Sequence, residues 1–237
     1  MPFDRFLNWL LDWFHAWLLR WEATGLELWA LMAAWLLLVL ASWLVGWLRK
    51  RRRGQAILAA LRAGSRGTIE FRRGPGAWGF VAAVTPAPDP FREFSVSFRA
   101  MSIFDPVDCL RRLAGAPSSR LHIWAILQRT PEAELVWERG QLPARALGRG
   151  PGRTLWEIHR LSLGGAEYAT RGLNAGALRH AFTDLHARFY AGLQRVVVQR
   201  EGAPQFEVVM AGSALEVHEV SALLTTIRAL GRAAQIG

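Results

Sequence analysis

Three arginines recur at four-residue spacing, Arg145, Arg149 and Arg153, in the stretch QLPARALGRGPGRT, with glycines at 148, 150 and 152. Guanidinium groups on such a stretch suit an anion, because their planar fork meets a phosphate or carboxylate with paired hydrogen bonds. These three are the candidate anion-binding residues. No Gly-Lys-Ser/Thr follows them and the next segment reads as a strand, so the stretch lacks the layout of a phosphate-binding loop. His180 and Asp184 share a helix face, but no third ligand accompanies them and no metal centre is expected. Cys109 is the only cysteine; it excludes an intrachain disulfide and reads as a small packed hydrophobe. Glu132, Glu134 and Glu138 alternate along a strand pair and are expected on its solvated face. A nucleophile elbow, a Cys/His pair and a kinase set are all missing. The chain therefore offers no catalytic residues and implies no cofactor.

The formal charge is +10, and all but one of the 29 basic residues are arginines, the exception being Lys50. A basic surplus favours acidic partners such as anionic lipid or nucleic acid. Beyond Arg53 the charge is dispersed, and a GC-rich genome suffices to explain arginine over lysine. The aromatic residues of this later part fall at core positions, with no interleaving of rings and basic groups of the kind that stacks bases. Nucleic acid is not the expected partner.

The elements that would carry such residues begin with a membrane signature. Residues 28–48, LWALMAAWLLLVLASWLVGWL, hold no charge. At about 1.5 Å of rise per residue, such a helix matches a hydrocarbon layer of about 30 Å. A transmembrane helix is expected over 26–48, with Trp29 and Trp47 at the headgroup levels. RKRRR, Arg49, Lys50, Arg51, Arg52 and Arg53, follows at once. It reads as a topology signal that also suits anionic lipid, and it places the C-terminal side in the cytoplasm and the N-terminus outside. A cleaved signal peptide does not fit, because the charge follows a full-length span.

Upstream, Trp9, Trp13, Trp17 and Trp21 fall on a broad apolar face opposite Asp4, Arg5, Asn8, Asp12 and His15. Residues 1–25 are therefore expected to form an amphipathic helix in the outer membrane interface, its indoles meeting lipid or a neighbouring membrane subunit.

Residues 49–67 read as a basic collar and a juxtamembrane helix, and 68–237 as a cytoplasmic α+β domain. Strands are expected around 77–84, 91–100, 120–128, 133–140, 155–163, 166–172, 195–201 and 205–212. RTPE (129–132) and Gly164-Gly165 read as hairpin links. A short helix opens at Asp105-Pro106. A second is expected over 175–193, with Leu178, Phe182, Leu185, Phe189 and Leu193 on one face, and a third over 216–233. Hairpin-length links point to a mostly antiparallel sheet with about three helices on one face.

The sequence thus suggests a single-pass membrane-anchored protein with a cytoplasmic binding or scaffold domain, such as an accessory subunit of a membrane complex. Its partners would be the bilayer and another membrane or cytoplasmic protein, or a second copy of itself. The balance leans away from catalysis. The alternatives are a membrane-tethered enzyme acting on a lipid-linked or phosphorylated substrate, and a membrane tether for nucleic acid.

Overall fold

The computed structural model describes residues 25–65, 67–76, 79–102, 104–113, 119–140, 156–172 and 175–236, together with positions 12, 15 and 16. It opens on one long helix, α1 (Gly25–Ser65), which contains a stretch long and apolar enough to cross a membrane. Three strands follow, β1 (Thr68–Gly76), β2 (Gly79–Thr85) and β3 (Phe91–Arg99), then a short helix, α2 (Pro106–Leu113). Next come β4 (Arg120–Leu127), β5 (Ala133–Glu138), β6 (Glu157–Arg160) and β7 (Glu167–Gly172). The chain finishes with α3 (Ala175–Phe189), β8 (Leu193–Val198), β9 (Phe206–Ala211) and α4 (Val220–Ala233). The described residues divide into two units between Leu44 and Val45, inside α1.

The nine strands among the described residues form one antiparallel sheet, in the order β1-β2-β3-β4-β9-β8-β5-β7-β6. The expected hairpin across RTPE does not form. β4 pairs with β3 and β9, while β5 pairs with β7 and β8. The β8–β9 hairpin inserts between them. Its valine-rich strands, VVV at 196–198 and VV at 208–209, supply the two-sided apolar character that a central position in a sheet requires. The Gly164-Gly165 link does join paired strands, β6 and β7, and both glycines take positive φ, at 76° and 61°.

Alternation makes one face of this sheet the core. Three apolar rows cross it strand by strand through the pairing register. One runs Phe80, Phe98, Leu121, Met210 and Leu193. The next runs Ala82, Val96, Ile123, Val208, Val196 and Trp137. The third runs Phe94, Ala125, Phe206, Val198 and Leu135. All are buried, in one cluster with Ile57, Leu58 and Leu61 of α1, Leu178, Phe182 and Leu185 of α3, and Leu223, Ile227 and Leu230 of α4.

Two local expectations are corrected. α3 stops at Phe189 rather than running to residue 193. Gly192 donates its N–H back to the Phe189 carbonyl, and Leu193 starts β8. Glu134 is buried rather than solvated. Its carboxylate takes a hydrogen bond from Arg171 on the neighbouring β7 and another, at 2.7 Å, from the Arg200 backbone N–H. That hydrogen bond holds the Arg171 guanidinium charged, raising its pKa.

The core also holds a histidine. His186 of α3 lies between Trp137, 5.3 Å away edge-on, and Tyr190, 5.2 Å away, with its Nε2 buried and unpartnered among the described residues. Burial, aided by the Arg139 charge, pushes its pKa below 6.5. The folded protein therefore holds the neutral ring, while the unfolded chain binds the proton more readily. Stability from this site is complete above pH 6.5 and falls as pH drops through the lowered folded value. His186→Phe keeps a ring of similar volume without titration. Thermal unfolding between about pH 7 and about pH 5 is expected to show a smaller loss of Tm in the variant than in the parent.

Candidate functional site

α1 changes character along its length. From Trp29 to Val45 most of its large apolar side chains are exposed, among them Trp29 (70 %), Trp35 (66 %), Leu37 (66 %) and Leu38 (69 %). From Gly46 onward a buried stripe recurs at helical spacing: Gly46, Lys50, Gly54, Ile57, Leu58, Leu61 and Ser65. Spacings of three and four keep these residues on one side, so the last five turns form part of the core.

Lys50 is the exception to apolarity in that stripe. It is 3 % exposed, and its ammonium donates to Asp105 Oδ2 at 2.5 Å and Asp108 Oδ2 at 3.1 Å. Both acids belong to the opening of α2. Asp105 caps that helix, its Oδ1 accepting the Val107 N–H at 3.0 Å. Asp108 Oδ2 also accepts the Ser102 N–H at 2.9 Å, while its Oδ1 is buried without a hydrogen-bond partner among the described residues. The close approach needs Gly46, since a Cβ there would stand 2.9 Å from the Asp105 nitrogen and 3.0 Å from the Phe104 carbonyl carbon.

The rest of the basic run is divided among different tasks. Arg53 Nη2 donates to the carbonyls of Gly212, at 2.5 Å, and Leu215, at 3.2 Å, just past β9. The Arg49 guanidinium lies over the Phe104 ring, 4.0 Å from its centroid, and Arg51 lies over Trp47 at 5.3 Å. Arg51 and Arg52 are exposed. Further along, Arg228 of α4 donates to the Gly64 carbonyl at 2.7 Å, satisfying one of the acceptors that the end of α1 leaves open.

Lys50, Arg49, Phe104 and Arg53 border a cavity of about 250 Å³ whose lining also includes Arg112, Ser102, Ser119 and Ser213. Lys50 has both nearby carboxylates. Among the described residues, none of the three arginines makes an ion pair with an acid. The cavity therefore carries a local positive surplus beside three hydroxyl-bearing side chains. It can receive an anion.

Arg145, Arg149 and Arg153, the anion-binding candidates from sequence, lie outside the described residues, as do Trp9, Trp13, Trp17 and Trp21. Trp29 is exposed on α1 and Trp47 is half-buried beneath Arg51. Sequence reasoning missed Arg112 and the two aspartates. The signal for the aspartates was present, however: one lysine among 28 arginines marks a place where a compact ammonium differs from a guanidinium.

A second polar cluster lies on the sheet face opposite the core. His122 Nε2 stands 3.0 Å from Glu207 Oε1, and Arg195 Nε lies 3.4 Å from Glu207 Oε2. The His122 hydrogen bond holds the Glu207 carboxyl below its usual range, against the effect of burial and with help from Arg195. Apart from that cluster, on the edge strand β6, His159 has its pKa pushed down by burial and by Arg179. No group of three His, Cys, Asp or Glu side chains among the described residues could hold a metal ion.

No family model matches the chain, and no curated protein matches it in sequence.

Lys50→Met removes the ammonium but leaves two buried carboxylates, which is expected to cost about 3–5 kcal/mol in denaturant unfolding. Lys50→Arg keeps the charge, yet a branched guanidinium does not fit a pocket built for an ammonium. The expected result is lowered stability with an unchanged count of positive charges after the apolar stretch. Equal stability of the arginine variant and the parent would show that charge alone matters there. Gly46→Leu should separate α1 from residues 104–105 and lower Tm, read by the same unfolding assay.

Proposed function

We propose that the protein is a single-pass, membrane-anchored binding module, with its sheet domain held at the cytoplasmic surface to engage another subunit of a membrane complex. The observation that carries this reading is the division within α1. One stretch exposes tryptophan and leucine on every side, which water would not favour and a hydrocarbon layer would cover. The next stretch is part of a folded core. A signal sequence meant for removal would not supply a core element of the mature domain.

Orientation rests on the positive charges of residues 49–53, which favour the cytoplasmic side. Lys50→Arg leaves that bias intact, so topology and domain stability are separable. The binding role rests on the folded domain having polar surface clusters without a nucleophile, base and orienting group in one place among the described residues.

Two measurements test the reading. The full chain is expected to remain with membranes after alkaline carbonate washing and to leave them only with detergent. Protease added to intact cells is expected to spare the domain, and added to inverted vesicles to degrade it. Release by carbonate would remove the anchor, and digestion in intact cells would reverse the orientation. Mild-detergent purification is expected to retain a membrane partner at fixed ratio; recovery of monomer alone would count against the complex-subunit role.

A further inference from the structure

α2 is tied by Asp105 and Asp108 to Lys50, which lies only about 3 Å along the helix axis beyond Leu48, the last residue of the apolar stretch. α2 therefore begins at the level where that stretch ends. With the acids turned inward, its outer side presents Val107, Leu110 and Leu113, which are 43 %, 66 % and 64 % exposed. At about 100° per residue these three spread over about a third of the helix circumference. Their arc is continuous ridge rather than scattered residues, and a short helix with such a side and cationic neighbours is the pattern of an element lying in a bilayer interface. Arg49 and Arg112 line the basic cavity next to α2, with no acid paired to either among the described residues.

We infer that α2 is a second membrane-contacting element: Val107, Leu110 and Leu113 enter the headgroup region of an anionic bilayer while Arg49 and Arg112 bind lipid phosphates beside it. The inference rests on α1 being a membrane anchor and adds what the anchor alone does not provide. A single helix leaves a domain free to swivel about its attachment. A second contact, one helix away, fixes which side of the domain faces the lipid and which faces the cytoplasm. Phosphate oxygens accept from the two guanidinium groups, and the apolar ridge gains burial that no described part of the chain gives it.

The test uses the full chain reconstituted into vesicles of phosphatidylcholine with or without phosphatidylglycerol. Cys109→Ser removes the native thiol, and Leu110→Cys or, separately, Leu37→Cys carries a polarity-sensitive fluorophore. Lipid-borne spin label and aqueous iodide serve as competing quenchers. The expected result is quenching by lipid at both positions, with position 110 lipid-quenched more strongly when phosphatidylglycerol is present. Arg49→Gln and Arg112→Gln should each lower that anionic preference, on the order of fivefold per charge removed.

Lipid quenching at 37 with iodide quenching alone at 110 overturns the α2 inference and leaves the anchor standing. No lipid quenching at 37 removes the anchor and the inference with it. A label at 110 shielded from both quenchers means that protein, including a second copy of the chain, covers the ridge, and this also overturns the inference. Unaltered circular dichroism of each labelled variant shows that the comparison concerns folded protein.

Discussion

The ammonium of Lys50 and the carboxylates of Asp105 and Asp108 lie together with almost no water around them, and each depends on the others for its charge to be tolerable. An unpaired buried charge would cost a large part of a domain's ordinary margin of stability, so the three groups are stable together and not apart. Their assembly decides which side of the 45–65 stretch of α1 packs into the domain. Gly46 permits the approach, Asp105 begins α2, and Arg53 and Arg228 fasten α1 to the segments after β9 and to α4. Much of the domain's attachment to its helix follows from that one cluster.

The sheet shows a matching dependence on distant residues. β4 and β5 are neighbours in sequence but are held apart by a hairpin contributed near the C-terminus. The rows of core side chains become continuous only when β8 and β9 are in place. α3 and α4, on either side of that hairpin in the chain, then cover the completed rows. Such a topology postpones much of its apolar burial until long loops have closed, which favours cooperative folding over piecewise assembly.

Charge is distributed by task rather than spread evenly. The basic run after the apolar stretch contains one buried ammonium, one guanidinium spent on backbone carbonyls, and others stacked on rings or left at the surface. A run of like charges can thus serve packing and surface at once, because the two uses fall on different sides of one helix. The contact with the Phe104 ring holds the Arg49 guanidinium beside the cavity.

Local patterns by themselves determined the apolar helix, most strand positions, the Asp105 cap, the Gly-Gly hairpin and the apolar faces of α3 and α4. Each of these depends on near neighbours: period, turn chemistry or a missing charge. The tertiary structure alone decided that β4 and β5 part, that Glu134 is buried against Arg171, and that Lys50 turns inward while Arg49 turns to Phe104. The reason is physical. Alternation assigns a residue to a face but not the strand beside it, and a run of five positive charges has no local feature that singles out the one to be buried. That choice needs Asp105 and Asp108, which stand more than fifty positions away and meet Lys50 only when the chain has folded.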